Sequence, residues 1–292
     1  MHIHWFPGHM AKAHRMIREQ LKLVDVVIEL LDARIPVSSA NPVLDEIIDR
    51  KPRVIVLNKA DLADPVATEQ WLGIFRARAQ EAVAVESVSG GSAKLLIGRT
   101  EQAAKDKLAA WAAKGIRARA VRAMILGIPN VGKSSLINRL LGTATARTGD
   151  KPGVTRGQQW LKIGKNLELL DTPGVLWPKF EDQEAAFKLA ITGAISDEVF
   201  DMEKVVNRLT ELLRERYPER VSGRYNLTLP LPENPAAILE LIGSRRGCLK
   251  SGGAIDYEKA RRIVLNEFRD GKLGRFTLDE PGSLPEEKPS GE

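Results

Sequence analysis

Apolar residues in this chain come in short unbroken runs, separated by longer stretches with helical spacing. Val24-Asp-Val-Val-Ile-Glu-Leu-Leu31 reads as a strand running into Asp32-Ala-Arg-Ile-Pro36, and Val54-Ile-Val-Leu57 is the sort of short run that suits a strand buried on both faces. Ala82 to Val85, Ala123 to Leu126 and Leu167 to Leu170 are further strand candidates. Between them lie helical patterns over Pro42–Arg50, near Ala67–Glu81, from about Ala93 to Lys114, and over Lys133–Leu141. In the third of these, Leu96, Ala103, Leu108 and Trp111 fall near one face. Strands that alternate with helices predict crossover connections and a mostly parallel sheet with flanking helices, an α/β domain.

The pattern changes beyond Trp177-Pro178. Lys204–Tyr217 sets Val205, Val206, Leu209, Leu212 and Leu213 on one helical face, and Pro235–Ile242 and Asp256–Phe268 are two more helical stretches. Asp256 is placed to cap the last of them. No strand rhythm is evident here, so a C-terminal all-helical domain is expected. The expected organisation is an N-terminal segment 1–22, an α/β domain 23–178, a helical domain 179–280 and a disordered tail 281–292, the tail rich in proline and glutamate.

Composition narrows the class. The chain has 292 residues, 43% hydrophobic and 28% charged, a globular balance at a length that favours two domains. No run reaches the roughly 18 apolar residues of a membrane span, and the most apolar candidate carries Asp25 and Glu29. The N-terminus has no secretory pattern, and Cys248 is the only cysteine, so a cytoplasmic protein without internal disulfides is expected. The net charge of +6 is unevenly spread. Eight basic residues between Lys94 and Arg122 face two acids, and six between Arg139 and Lys165 face Asp150 alone. From Arg208 to Arg275, fourteen basic residues face nine acidic ones. Such patches suit a polyanion, though solvated surface charge gives the same count.

The chemistry is concentrated in three short motifs. Gly127-Ile-Pro-Asn-Val-Gly-Lys-Ser134 follows a strand and opens a helix, the phosphate-cradling loop pattern. Its backbone amides face phosphates, Lys133 reaches the β- and γ-phosphates, and Ser134 offers a hydroxyl to Mg²⁺. Asn130, Val131, Gly132, Lys133, Ser134 and Ser135 therefore line the expected nucleotide site. Asp171-Thr-Pro-Gly174 follows the next strand; Asp171 would hold Mg²⁺ through water and the Gly174 amide would contact the γ-phosphate. Asn58-Lys59-Ala60-Asp61 ends an earlier strand and is the guanine signature of GTPases. The Asp61 carboxylate can accept from guanine N1–H and the exocyclic amine, worth about 1.5–3 kcal/mol against adenine; the alternative is that Asp61 merely caps the following helix. Ser87-Val88, after the next strand, would pack on the base.

The guanine elements precede the phosphate elements, the reverse of most GTPases. That order predicts a circularly permuted G domain whose old termini are joined through the basic helix near 93–122. The permuted order, together with Trp5-Phe-Pro-Gly-His-Met10, Asp32-Ala-Arg-Ile-Pro36, the phosphate loop and Gly247-Cys-Leu-Lys-Ser-Gly-Gly253, resembles the ribosome biogenesis GTPase A family of the YlqF/YawG group. The resemblance runs from Ile3 to about Asp279. It implies a cytoplasmic GTPase that acts in large (50S) subunit assembly and contacts ribosomal RNA; nothing in the sequence suggests an obligate dimer, so a monomer is expected.

The resemblance also assigns roles. Thr155 is similar to the first-switch threonine that closes on Mg²⁺ and the γ-phosphate. Where other GTPases place a water-orienting glutamine, this chain has Val175, so help with hydrolysis must come from elsewhere. Asn130 stands where potassium-activated relatives ligate K⁺, a cation that would stabilise developing charge; bracing of the loop is its plainer role. His9 matches a histidine the family suggests as catalytic, alongside Lys133, Thr155 and Gly174; contact with RNA or local packing is its other reading. Unassisted turnover would be slow, on the order of 10⁻⁴ to 10⁻² per second. In the C-terminal domain, Arg245, Arg246, Lys250, Arg261 and Arg262 are the candidate RNA contacts, and Cys248 is expected to be a packing residue.

Overall fold

The computed structural model describes residues 15–48, 51–78, 80–86, 91–115, 119–142, 160–170 and 182–282. These divide into two compact units. One takes in the described residues up to 170 together with 276–282, and the other spans 182–275.

The first unit is built on β1 (Val26–Asp32), β2 (Arg53–Asn58), β3 (Glu81–Val85), β4 (Val121–Gly127), β5 (Trp160–Ile163) and β6 (Leu167–Leu170), in the order β3-β2-β1-β4-β6-β5. All neighbours are parallel except β5, which runs antiparallel to β6. Its helices are α1 (helical residues 15–21), α2 (Pro42–Ile48), α3 (Pro65–Ala77), α4 (Gly91–Ala103), α5 (Lys105–Ala113) and α6 (Lys133–Leu141). On one face of the sheet Ile17 and Leu21 of α1 and Leu44, Ile47 and Ile48 of α2 pack on Val27, Met124, Leu126 and Leu170. Trp71, Leu72 and Phe75 of α3 cover Leu31, Ile55, Leu57 and Ala82. Residues of opposite parity, such as Val26, Ile28, Leu30, Val54, Val56, Ala123 and Ile125, are equally buried, so both faces are covered, as a parallel sheet requires.

The second unit contains α7 (Gln183–Ile191), α8 (Met202–Arg216), α9 (Pro218–Tyr225), α10 (Pro235–Arg245) and α11 (Tyr257–Arg269). α8 turns Val205, Val206, Leu209 and Leu213 inward, and α11 does the same with Ala260, Val264, Leu265 and Phe268. Asp182, Asp201, Asn234 and Asp256 each cap a helix by accepting from backbone amides, Asp256 from Lys259 as expected. Among the described residues no helix is long and apolar enough to cross a membrane.

Several expectations need correction. The helix expected over 93–114 is two, α4 and α5, broken at Ala104, where Thr100 turns its hydroxyl back to Leu96 O at 2.8 Å, a bond that bends helices. β5 was not foreseen because it is an edge strand in which only Ile163 is buried, so it lacks an apolar run; the tight turn at Gly164 joins it to β6. α7 was missed because six of its nine residues are buried, which erases an amphipathic stripe. α9 is only eight residues long and buries just Val221 and Tyr225. The expected separate segment 1–22 contributes Ile17 and Leu21 to the sheet's core. The helical domain expected to end at 280 ends at Arg275, because Phe276 to Asp279 hydrogen-bond into the α/β unit.

Candidate nucleotide-binding site

The strand register brings the two halves of the site together. Asp32 lies opposite Asn58 across β1–β2, and Leu30 opposite Gly127 across β1–β4, so the guanine motif and the phosphate loop leave the same carboxyl edge of the sheet. The chain turns outward from β1 to β2 and β3, then returns to β4 on the other side of β1. This makes the β1–β4 edge a topological switch point, where open α/β sheets leave a crevice for ligands.

The loop from Gly127 to Ser134 is fixed by close approach. A Cβ on Gly127 would lie 2.7 Å from Leu30 O, so only glycine lets the loop leave β4 at this point. Gly132 has φ 103°, and a Cβ there would come within 2.3 Å of Asn58 Nδ2. Asn130 is also left-handed, at φ 55°. Ile128 and Val131 are buried beneath the loop. Lys133 folds back to donate to Gly127 O at 2.9 Å and Ile128 O at 2.7 Å, which puts its ammonium inside the loop. Among the described residues no side chain caps the start of α6, and Ser134 and Ser135 sit in its first turn. Uncapped amides at a helix N-terminus beside a lysine form an anion site.

The guanine motif touches this loop directly. Asn58, buried at the end of β2, donates through Nδ2 to Val131 O at 2.7 Å. Lys59, left-handed at φ 59°, donates to Asn130 O at 3.1 Å and pairs with Asp32 Oδ2 at 3.1 Å. Asp61 lies in a single 3₁₀ turn, Ala60–Leu62, and does not cap α3; Asp64 does, accepting from Ala67 N at 2.9 Å. At the far end of β3, Arg139 of α6 donates to Glu86 O at 2.6 Å, tying that strand end to the phosphate helix.

Asp32 and Arg34 were not assigned roles from the sequence, although both stand in the Asp-Ala-Arg motif. Arg34 donates to Asp32 through Nε at 2.9 Å, Nη2 at 2.8 Å and its backbone amide at 3.1 Å. Burial pushes the Asp32 carboxyl upward, but the Arg34 and Lys59 charges overcome it and hold the group far below the usual carboxylate range. Asp279 was missed as well, and nothing local in the sequence marks it. Its carboxylate accepts from the Val37 and Ser38 amides and the Ser38 hydroxyl, each at 2.8 Å.

His9, Ser87, Val88, Thr155, Asp171, Gly174 and Val175 lie outside the described residues. In the helical unit, three of the five candidate RNA contacts are engaged by acids: Arg246 with Glu267 at 3.1 Å, Arg261 with Glu203 at 2.5 Å and Arg262 with Glu258 at 2.9 Å. Arg245 and Lys250 are exposed, and among the described residues neither has an ion pair. Cys248 is fully buried, and burial pushes its thiol up, in keeping with a packing role.

Comparison with known proteins identifies the family. A model described as "50S ribosome-binding GTPase" matches residues 122–219. Ribosome biogenesis GTPase A of Bacillus cereus is 51% identical over 287 residues, covering 98% of this chain and 97% of that one. This chain belongs to the ribosome biogenesis GTPase A family. The Thermotoga maritima member is 30% identical, with 96% of this chain and 95% of that one aligned. The crystal structure of GNP-bound YlqF from T. maritima is similar at a TM-score of 0.66 and 27% identity, over 94% of this chain and 100% of that one. As a member of the ribosome biogenesis GTPase A family, this protein hydrolyses GTP. The family likeness agrees with the permuted order, since the strand that feeds the guanine motif precedes the strand that feeds the phosphate loop.

Proposed function

We propose that this GTPase is an assembly factor for the large ribosomal subunit, binding its RNA in the GTP state and leaving on hydrolysis. The observation that supports the nucleotide half is the contact of Asn58 with Val131 and of Lys59 with Asn130, which joins the proposed base-recognition motif to the proposed phosphate loop. The ribosomal half rests on the relatives' name, ribosome biogenesis GTPase A, and on the positive balance of the chain.

In this reading Asp61 pairs with the guanine edge, Ser87 and Val88 pack on the base, and Lys133 with the first amides of α6 takes the phosphates. Ser134 fits Mg²⁺ as a hard oxygen ligand at the mouth of the loop, with Thr155 and Asp171 completing the set. Bound Mg²⁺ supplies charge neutralisation at the β- and γ-phosphates. The Gly174 amide and Thr155 tie both switches to the γ-phosphate, so loss of that phosphate releases them. Val175 cannot orient water, which leaves His9 and a K⁺ held near Asn130 as the sources of catalytic help. The protein works in the cytoplasm as a monomer.

GTP turnover measured in K⁺ and in Na⁺, with large or small ribosomal subunits added, tests this. Stimulation by the large subunit alone, lost in Na⁺, is the expected result. A slow rate unmoved by either subunit would remove the ribosomal reading, and equal rates in both salts would remove K⁺.

A further inference from the structure

The edge of the sheet opposite the nucleotide site gathers cations from distant parts of the chain. Asp25 precedes β1, Lys51 precedes β2, Arg119 precedes β4 and Lys165 precedes β6, and because these strands are parallel all four residues lie at the same end. A strand of seven residues spans about 20 Å, so this edge is about that far from Asp32 and Gly127.

Asp25, almost wholly buried, organises the group. It pairs with Lys107 of α5 at 2.7 Å and with Arg119 at 2.8 Å, and accepts from the Arg122 amide at 2.9 Å. The Arg119 guanidinium lies 4.4 Å from the centre of the Trp111 ring, and the Lys107 ammonium 5.5 Å from it. Arg122 stacks on Trp160 at 4.8 Å while pairing with Glu168 at 3.0 Å. Lys51 donates to Val24 O at 2.9 Å. Burial, with a further push from the nearby Lys107 charge, lowers its ammonium pKa. Lys22 lines a hollow with Lys51 and Lys107, and Lys165 lines a second with Trp111 and Arg119. Lys22 and Lys165 are both exposed and unpaired among the described residues.

Among the described residues, Lys22, Lys51, Lys107, Arg119, Arg122 and Lys165 thus gather beside the carboxylates Asp25, Glu101 and Glu168, and Asp25 and Glu168 are already engaged in ion pairs. A surface charged only for solubility needs no such construction. Here a buried carboxylate and two indole rings hold long side chains in place before any partner arrives, which lowers the entropy cost of binding. Of the polyanions that this charge would draw, RNA matches best. Arginine stacked on tryptophan presents flat surface to an unpaired base, and the free lysines beside it suit phosphates.

We propose that this edge of the sheet is an RNA-binding surface, separate from the helical unit, in which Lys22 and Lys165 contact phosphates and the Arg119–Trp111 stack receives a base. The proposal rests on the ribosomal reading above for the source of the RNA.

The test uses the full chain, loaded with a non-hydrolysable GTP analogue, and a Lys22→Glu/Lys165→Glu double variant. Affinity is measured across a salt series for intact large subunits and for RNA stripped of protein from the same subunits. The expected result is at least about tenfold weaker binding to both, with the log–log salt slope shallower by about 1.5–2 and with basal GTP turnover and melting temperature unchanged. Affinity within twofold of the parent at an unchanged slope would overturn the proposal. So would weaker binding to intact subunits with stripped RNA unaffected, which would point to an acidic protein. Should the parent chain bind stripped RNA but not subunits, the assembly reading fails, while the RNA arm still decides the proposal.

Discussion

Asp32 gathers two cations around one buried carboxylate. Its buried carboxylate neutralises Arg34, itself buried, and anchors Lys59, which reaches on to the phosphate loop. In Asp32→Asn the shape survives but the carboxylate charge that both cations face is removed. Breaking a buried pair from one side costs about 3–5 kcal/mol. Urea unfolding at pH 7 should show a loss of that size, with weaker GTP binding because Lys59 loses one of the contacts that position it. The pH dependence follows from the depressed carboxyl. Its contribution is complete above the ordinary aspartate value near 3.8 and is lost as pH falls below it toward the folded-state value. The gap between parent and Asp32→Asn should therefore be constant from pH 7 to about 5 and close only in stronger acid; a gap that closed near neutrality would assign the effect to another group.

At the level of elements, the C-terminal segment acts as a strap across the guanine side of the site. Phe276 donates from its amide to Leu62 O at 3.0 Å, Thr277 accepts from Asp64 N at 3.1 Å, and Leu278 donates to Arg34 O at 2.7 Å. Trp71 donates to Asp279 O at 3.3 Å. The strap thus holds both the turn that carries Asp61 and the loop that carries Arg34. Asp279→Ala removes the acceptor of the half-buried Val37 amide and of the buried Ser38 amide and hydroxyl, and an unsatisfied buried group costs about 1–3 kcal/mol. A stability loss of about 3 kcal/mol is expected, together with faster hydrogen exchange at those two amides and little change at the phosphate loop. Unchanged exchange at Val37 and Ser38 would show that the strap does not hold the loop.

At the level of the whole molecule, the described residues of the candidate nucleotide site all belong to the α/β unit, and the helical unit has its own core. Ligand that binds only the folded state stabilises the unit that holds it, by about 2.7 kcal/mol at a hundredfold excess over Kd. Calorimetry with GDP should raise the unfolding transition of the α/β unit and leave that of the helical unit in place. A single transition shifted as a whole would mean that the two units unfold together.

What the sequence determined by itself was local chemistry and its order. Gly127 to Ser134 and Asn58 to Asp61 are legible because a phosphate loop and a guanine turn are built from adjacent residues whose backbone needs, glycine at φ 103° among them, are written in the residue types. The β–α alternation and the inverted order of the motifs were legible for the same reason, since hydrophobic runs and their succession survive in one dimension. Only the tertiary structure decided that Asn58 braces Val131, 73 residues away, and that Asp279 holds Ser38 across 241 residues. It alone gathered Lys22, Lys107, Arg119 and Lys165 on one edge. Such contacts leave no period in the sequence, because the parallel register of β1, β2, β4 and β6 and the return of the chain after Arg275 create them. A buried carboxylate such as Asp279 looks like any surface acid until the fold brings its donors to it.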